Sequence, residues 1–296
     1  MNLSTTLNTR FGIANHLTFE AGGAGLPVAN ISTPYATARV ALYGGQVLAW
    51  QPTGHRPVIW VSKAAVYEQG KPVRGGVPVC WPWFGPLPGQ ALHGFVRIRA
   101  WEVRSAHLDA GGQVSLRLGI CGDTQTHALW NHAFDLELVV TVGQSLTMAL
   151  TTRNTGAAPF TITQALHTYF CVGDILHTKV QGLDRCDYLD KVQNMAEMQQ
   201  SGAVRFSGET DRVYLNTTSD CLIEDAAWGR SIRVSKQGSD STVVWNPWAE
   251  REKAIADMAE GEYRGMVCVE TTNAGSDQIS LAPGQSHTLA ALISVT

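Results

Sequence analysis

The sequence is short of charge. Asp, Glu, Lys and Arg make up 16% of its 296 residues, against about 25% in an average globular chain, which favours sheets packed on sheets over solvated helices. It has no basic excess either. The formal net charge is −3, and nucleic-acid binders carry clustered Lys and Arg, so no nucleic-acid partner is expected. Long apolar runs are missing: none approaches the roughly 20 residues that cross a bilayer. Met1 to Arg10 is polar and lacks the basic-then-apolar layout of a signal peptide. No membrane partner is therefore expected, and a cytoplasmic location is. The six cysteines include no CxxC pair, and Cys80, Cys171 and Cys268 sit inside apolar runs, where cysteine behaves as a small hydrophobe. Reduced thiols are expected.

Several chemistries lack their signatures. Gly75, Gly76 and Gly85 lie among prolines and tryptophans, with neither a Walker nor a Rossmann spacing. There is no HExxH, no His/Cys cluster at zinc spacing and no GxSxG elbow. No metal or nucleotide cofactor is expected. Proton transfer between side chains remains, and it needs only an acid and a base.

What is present is short β-type runs from end to end. Val40 to Tyr43 and Val47 to Trp50 flank Gly44-Gly45, and Leu136 to Val142 and Leu146 to Leu150 flank Gly143-Gln144-Ser145. Both read as hairpins. Phe95 to Arg104 mixes apolar and charged residues as a half-buried strand does. Phe160 to Phe170, Ile232 to Val234, Val243 to Asn246, Val267 to Thr271 and Thr288 to Val295 continue the series. Helical periodicity is confined to Pro247 to Met258. No linker, charge block or repeat divides the chain. The pattern predicts an all-β protein, one large antiparallel β-sandwich domain over 1–296 with one or two short helices.

Polar residues in strand-like or aromatic surroundings mark the candidate site. Arg74 sits in Pro72-Val73-Arg74-Gly75-Gly76-Val77-Pro78, just before Trp81-Pro82-Trp83-Phe84-Gly85. Such a segment fits a sugar ring on aromatics beside a cation as well as it fits a packed loop. His93 precedes Gly94 at the mouth of the next expected strand, on which Arg97 and Arg99 would share a face. His167 is flanked by apolar and aromatic residues, a setting more often that of a satisfied core histidine, although histidine is best poised to exchange protons near neutrality. Glu270 interrupts the apolar run Met266 to Val269. A carboxylate buried there costs several kcal/mol unless paired, so the catalytic reading outweighs the bland one. Asp211, expected in a turn before Arg212, is a weaker candidate.

In this order the segments resemble the aldose 1-epimerase superfamily, and within it the hexose-6-phosphate mutarotases. The motifs are Arg74-Gly75-Gly76-Val77-Pro78 with Trp-Pro-Trp-Phe-Gly, His93-Gly94-Phe95, His167-Thr168-Tyr169-Phe170, Val244-Trp245-Asn246-Pro247 and Tyr263 to Asn273. The resemblance runs from about Val40 to the C-terminus. It implies a galactose mutarotase-like supersandwich and a small-molecule sugar phosphate as substrate; a monomer is expected. It also implies Glu270 as base on the C1 hydroxyl, His167 as acid on the ring oxygen, His93 and Asp211 as substrate-binding groups, and Arg74 with Arg97 as the phosphate pair. Leu92 departs from the glutamine often found there in the subfamily, which removes one hydrogen bond to substrate. The rival readings are an epimerase of unphosphorylated sugars, which has no need of paired arginines, and a non-catalytic carbohydrate-binding sandwich, which has no need of Glu270. A glycoside hydrolase would need a second carboxylate across the scissile bond, and only Asp211 offers itself.

Overall fold

Burial alternates residue by residue along the hairpin Phe134–Val142 and Leu146–Asn154, as period-2 geometry requires of strands with one covered face. In the computed structural model, which describes residues 2–296, this hairpin lies in a nine-stranded sheet. Along that sheet, Ser286–Val295 pairs with Leu146–Asn154, and Val114–Cys121 pairs with Phe134–Val142. All the pairings between its named strands are antiparallel. A second sheet of eight strands is centred on Met266–Asn273, which is flanked by Ser241–Asn246 on one side and by Gln164–Leu166 and Tyr169–Cys171 on the other. Thr210–Tyr214 and Asp187–Asp190 follow beyond Ser241–Asn246. A four-stranded sheet, Leu17–Ala21 to Gln46–Pro52, completes the main framework, with Gly44 and Gly45 turning its last hairpin.

The principal core joins the two large sheets. Leu118, Leu138, Leu150 and Leu289 from one, and Leu166, Val244, Val267 and Val269 from the other, belong to a single apolar cluster. Met266 and Cys268 alternate with Val267 and Val269, so they face the opposite way, where they join Trp60, Tyr169 and Met258. The central strand is thus covered on both faces and buried at every position. Even-numbered positions of this strand, Glu270 included, point away from the inter-sheet core.

Several local expectations change. Phe95 to Arg104 is not one strand: Val96–Ile98 forms a 3-10 turn and the strand begins at Glu102. Phe95 and Val96 are adjacent and both buried, which a strand with one covered face cannot provide. Arg97 and Arg99 consequently do not share a strand face, and His93 sits on a turn at φ 61° rather than at a strand mouth. Asp211 lies inside the strand Thr210–Tyr214, opposite Trp245. The helix expected over Pro247 to Met258 stops at Glu252, because the buried Glu252 carboxylate accepts the N–H groups of Gly261 and Tyr263 at 2.7 and 2.6 Å and holds the chain in a reversal. Two further short helices, Leu3–Phe11 and Thr124–Leu129, form outside the segment of helical periodicity. Asn2 and Asp123 cap them through side-chain oxygens. No helix among the described residues is long and apolar enough to cross a membrane.

Candidate active site

The ladder around Met266–Asn273 decides which side chains meet. Leu166 pairs with Thr271 and Tyr169 with Cys268 in one continuous antiparallel register, so His167 falls directly opposite Glu270. The ladder hydrogen bonds lapse at this point. The His167 N–H instead donates to Pro78 O at 3.0 Å, and the Thr168 N–H to Leu166 O at 2.9 Å. The side chains nevertheless converge, with His167 Nε2 at 3.4 Å from Glu270 Oε1. His167 is 8% exposed and Glu270 1%. Tyr169 lies nearly parallel to the imidazole at 4.8 Å and 11°, Trp60 continues the stack, and the Trp245 edge meets both His167 and Tyr169. The ring has little room to turn.

Burial shifts both groups toward their neutral forms. It pushes the Glu270 carboxyl well above the usual carboxylate range, against the pull of Lys191. It pushes His167 well below the ordinary imidazole value, and the nearby His93, Arg97 and Arg74 add to that fall. Glu270 Oε2 and His167 Nδ1 have no hydrogen-bond partner in the protein. Buried polar atoms are usually satisfied, so two orphans on residues that line one cavity mark a place built for something else to bind.

His93 approaches the pair from a separate loop, its ring 5.6 Å from that of His167. The Gly85 N–H donates to His93 Nδ1 at 3.0 Å, which leaves Nε2 to carry the proton. Burial first, then the charges of Arg97, Lys191 and Arg74, pushes its pKa down to about 3. His93 is therefore a fixed neutral donor. Its position depends on Gly94, where φ is 72° and a Cβ would overlap the Trp81 carbonyl oxygen. Gly76 plays a similar part behind Arg74: at φ 67°, its N–H bonds Trp60 O and a Cβ would strike Val47 O.

These residues open onto a cavity of about 490 Å³ lined by Arg74, His93, His167, Asp211 and Glu270, with Phe84, Trp245, Lys191, Glu209 and Arg251 among the rest. That volume lies within the range of small-molecule sites. Arg74 donates to Asp257 at 3.0 Å and to the Tyr169 hydroxyl at 3.1 Å. Asp211 pairs with Lys191 at 2.8 Å, and burial raises its pKa while Lys191 opposes the rise. Arg97 stands apart from the lining. Its Nη2 donates to Leu92 O at 2.7 Å, bracing the loop that carries His93, and its charge still reaches both histidines. Lys191, Glu209 and Arg251 carry no sequence signal that separates them from ordinary surface charges. A larger cavity of about 790 Å³ beside the helix Leu3–Phe11 has no histidine in its lining and offers no acid–base pair.

A sequence model of the family described as aldose 1-epimerase matches residues 27–294. A candidate glucose-6-phosphate 1-epimerase of Escherichia coli K12 is 39% identical over 252 residues, which is 84% of this chain and 83% of that one. A protein of Cenchrus ciliaris with the same description is 35% identical, over 84% of this chain and 78% of its own. The crystal structure of a candidate mutarotase from Salmonella typhimurium superposes with a TM-score of 0.90 at 31% identity, covering 100% of this chain and 99% of that one.

Proposed function

The chain belongs to the aldose 1-epimerase family, and we propose that it interconverts the α and β anomers of a hexose 6-phosphate, glucose 6-phosphate first among them. The observation that carries the reading is the His167–Glu270 pair, 3.4 Å apart and facing one cleft.

Ring opening takes a proton from the C1 hydroxyl and delivers one to the ring oxygen as the C1–O5 bond breaks. Glu270 is the base and His167 the acid. The aldehyde rotates about C1–C2 and recloses with the roles reversed. A neutral carboxyl beside a neutral imidazole holds the same number of protons as a carboxylate beside an imidazolium. The buried pair therefore needs no proton from solvent to change between these forms, and either partner serves as acid in one direction and base in the other. His93 Nε2–H donates to the ring oxygen or an adjacent hydroxyl, and Asp211, held by Lys191, accepts from ring hydroxyls. One positioned acid or base contributes about 10²–10⁴-fold, and two together lower the barrier by roughly 5–11 kcal/mol. Mutarotation is already slow but spontaneous in water, so this suffices.

The phosphate is assigned to Arg74 and Arg97. Arg74 lines the cleft, and Arg97 lies behind the Leu92 carbonyl with donors to spare. Arg251 is a further cation in the same lining, whereas Lys191 is matched by Asp211.

The test is exchange between the anomeric protons of glucose 6-phosphate by NMR, with and without protein, repeated with glucose and galactose. Faster exchange of the phosphate ester is expected, and Arg74→Ala and Arg97→Ala should depress it far more than they depress exchange of the free sugars. Equal losses on both kinds of substrate would remove the phosphate assignment. Binding without accelerated exchange would make the protein a carbohydrate-binding module.

A further inference from the structure

Cys268 is left idle by the acid–base chemistry, yet it stands beside the reacting pair. It precedes Glu270 by two residues on one strand, so both side chains share a face. A ring nitrogen of His167, the Cys268 Sγ and a carboxylate oxygen of Glu270 all lie within 4.8 Å of one another, and all three residues are buried. Glu270 Oε2, without a protein partner and almost wholly buried, is a free ligand atom at this point.

Imidazole, thiolate and carboxylate are donors that zinc accepts in tetrahedral sites; His167 and Glu270 line the cavity, and the buried Cys268 is not part of its lining. Metal–ligand bonds of about 2.0 Å to nitrogen and 2.3 Å to sulfur place neighbouring donors roughly 3.5 Å apart. The 3.4 Å between His167 Nε2 and Glu270 Oε1 already meets this, and the thiol, within 4.8 Å of both groups, must close on them to complete the set. The sulfur selects soft cations over magnesium or calcium.

We propose that His167, Cys268 and Glu270 bind a thiophilic divalent cation, zinc or cadmium, and that the bound metal shuts the enzyme off by occupying its acid and base. The metal site stands on geometry alone, whereas its inhibitory effect rests on the proposed function. As the metal binds, the Cys268 thiol and the His167–Glu270 pair each give up one proton to solvent. Thiolate and carboxylate then balance the two positive charges. Of the cations around the site, Arg74 is matched by Asp257 and Lys191 by Asp211, while Arg97 has no carboxylate partner.

The full-length chain, reduced and free of chelator, would be titrated with cadmium chloride while the ultraviolet thiolate-to-cadmium charge-transfer band is recorded. One equivalent per chain is expected. The band should vanish in Cys268→Ser and persist in Cys121→Ser, which removes the exposed thiol. In metal-free buffer Cys268→Ser should epimerise as the native chain does, and half-inhibition should need at least about tenfold more zinc. A band that survives Cys268→Ser, or equal zinc sensitivity of the two proteins, overturns the proposal. Should Cys268→Ser fold poorly, Cys268→Ala replaces it under the same criteria. If no turnover of hexose 6-phosphate is found, the functional reading fails while the band and its loss still decide the metal site.

Discussion

The two large sheets use polar residues in opposite ways. On the nine-stranded sheet the ion pairs of the outer strands are part-exposed, Arg104 with Asp135 and Glu137 and Arg117 with Glu137 at 2.6 Å, while Arg230 and Asp225 make a buried pair away from the cleft. Exposed pairs of the first kind are worth about 0–1 kcal/mol. Its inner face is uniformly apolar at Leu136, Leu138 and Val140. On the eight-stranded sheet the charged groups turn into the cleft as Lys191–Asp211, Arg74–Asp257 and His167–Glu270, where each is partly or wholly desolvated. One sheet is built to hold the fold and the other spends some of that stability on chemistry.

The division can be broken most forcefully at Glu270. Glu270→Gln should lower kcat for anomer exchange by about 10²–10⁴-fold while raising the melting temperature at neutral and alkaline pH. The sign follows from linkage. Burial raises the folded-state pKa above the unfolded value, so the stability tied to that proton is complete below the unfolded pKa and is lost as pH rises through the folded one. Glutamine has no proton to lose, so the two melting temperatures should converge only as pH falls below the ordinary carboxylate value of about 4.3. A variant less stable than the native chain at every pH would place Glu270 on the structural side of the comparison.

Leu138→Ala, on the other sheet, is the reverse experiment. It should cost about 2–5 kcal/mol in denaturant unfolding and leave turnover per folded molecule unchanged. A large fall in kcat at full folding would show the sheets to be coupled.

A finer test is the pH profile. Two coupled groups with one working proton give a bell. Its acid limb, where a second proton joins the pair, should lie below the ordinary imidazole value of about 6.5, and its alkaline limb well above the ordinary carboxylate value of about 4.3, following the directions set by burial. An acid limb at the ordinary imidazole value would mean that burial does not govern the pair.

The same contrast explains what was legible in the sequence. Leu136 to Val142 alternates, and the hairpin there could be read almost to its ends. Glu270 stood out because a carboxylate inside an apolar run is costly, and His167 because of its aromatic neighbours. The strand face expected of Arg97 and Arg99 is absent because the path of the chain there depends on positive φ at His93 and Gly94 and on a bond from Arg97 to the Leu92 carbonyl, and neither is periodic. Lys191, Glu209 and Arg251 gain meaning only from strands and turns that tertiary pairing brings to one cavity. The helix Leu3–Phe11 has only its asparagine cap and a single buried residue, Leu7, to announce it.

Met266–Asn273 is gripped by neighbours on both edges, and this bears on how such chains can change length. Adding or removing one residue within the strand would rotate every following side chain to the opposite side, and Val269 or Thr271 would take the place of the carboxylate. Insertions and deletions compatible with turnover must therefore fall in the connections between strands, where the chain can absorb them without reaching the cleft.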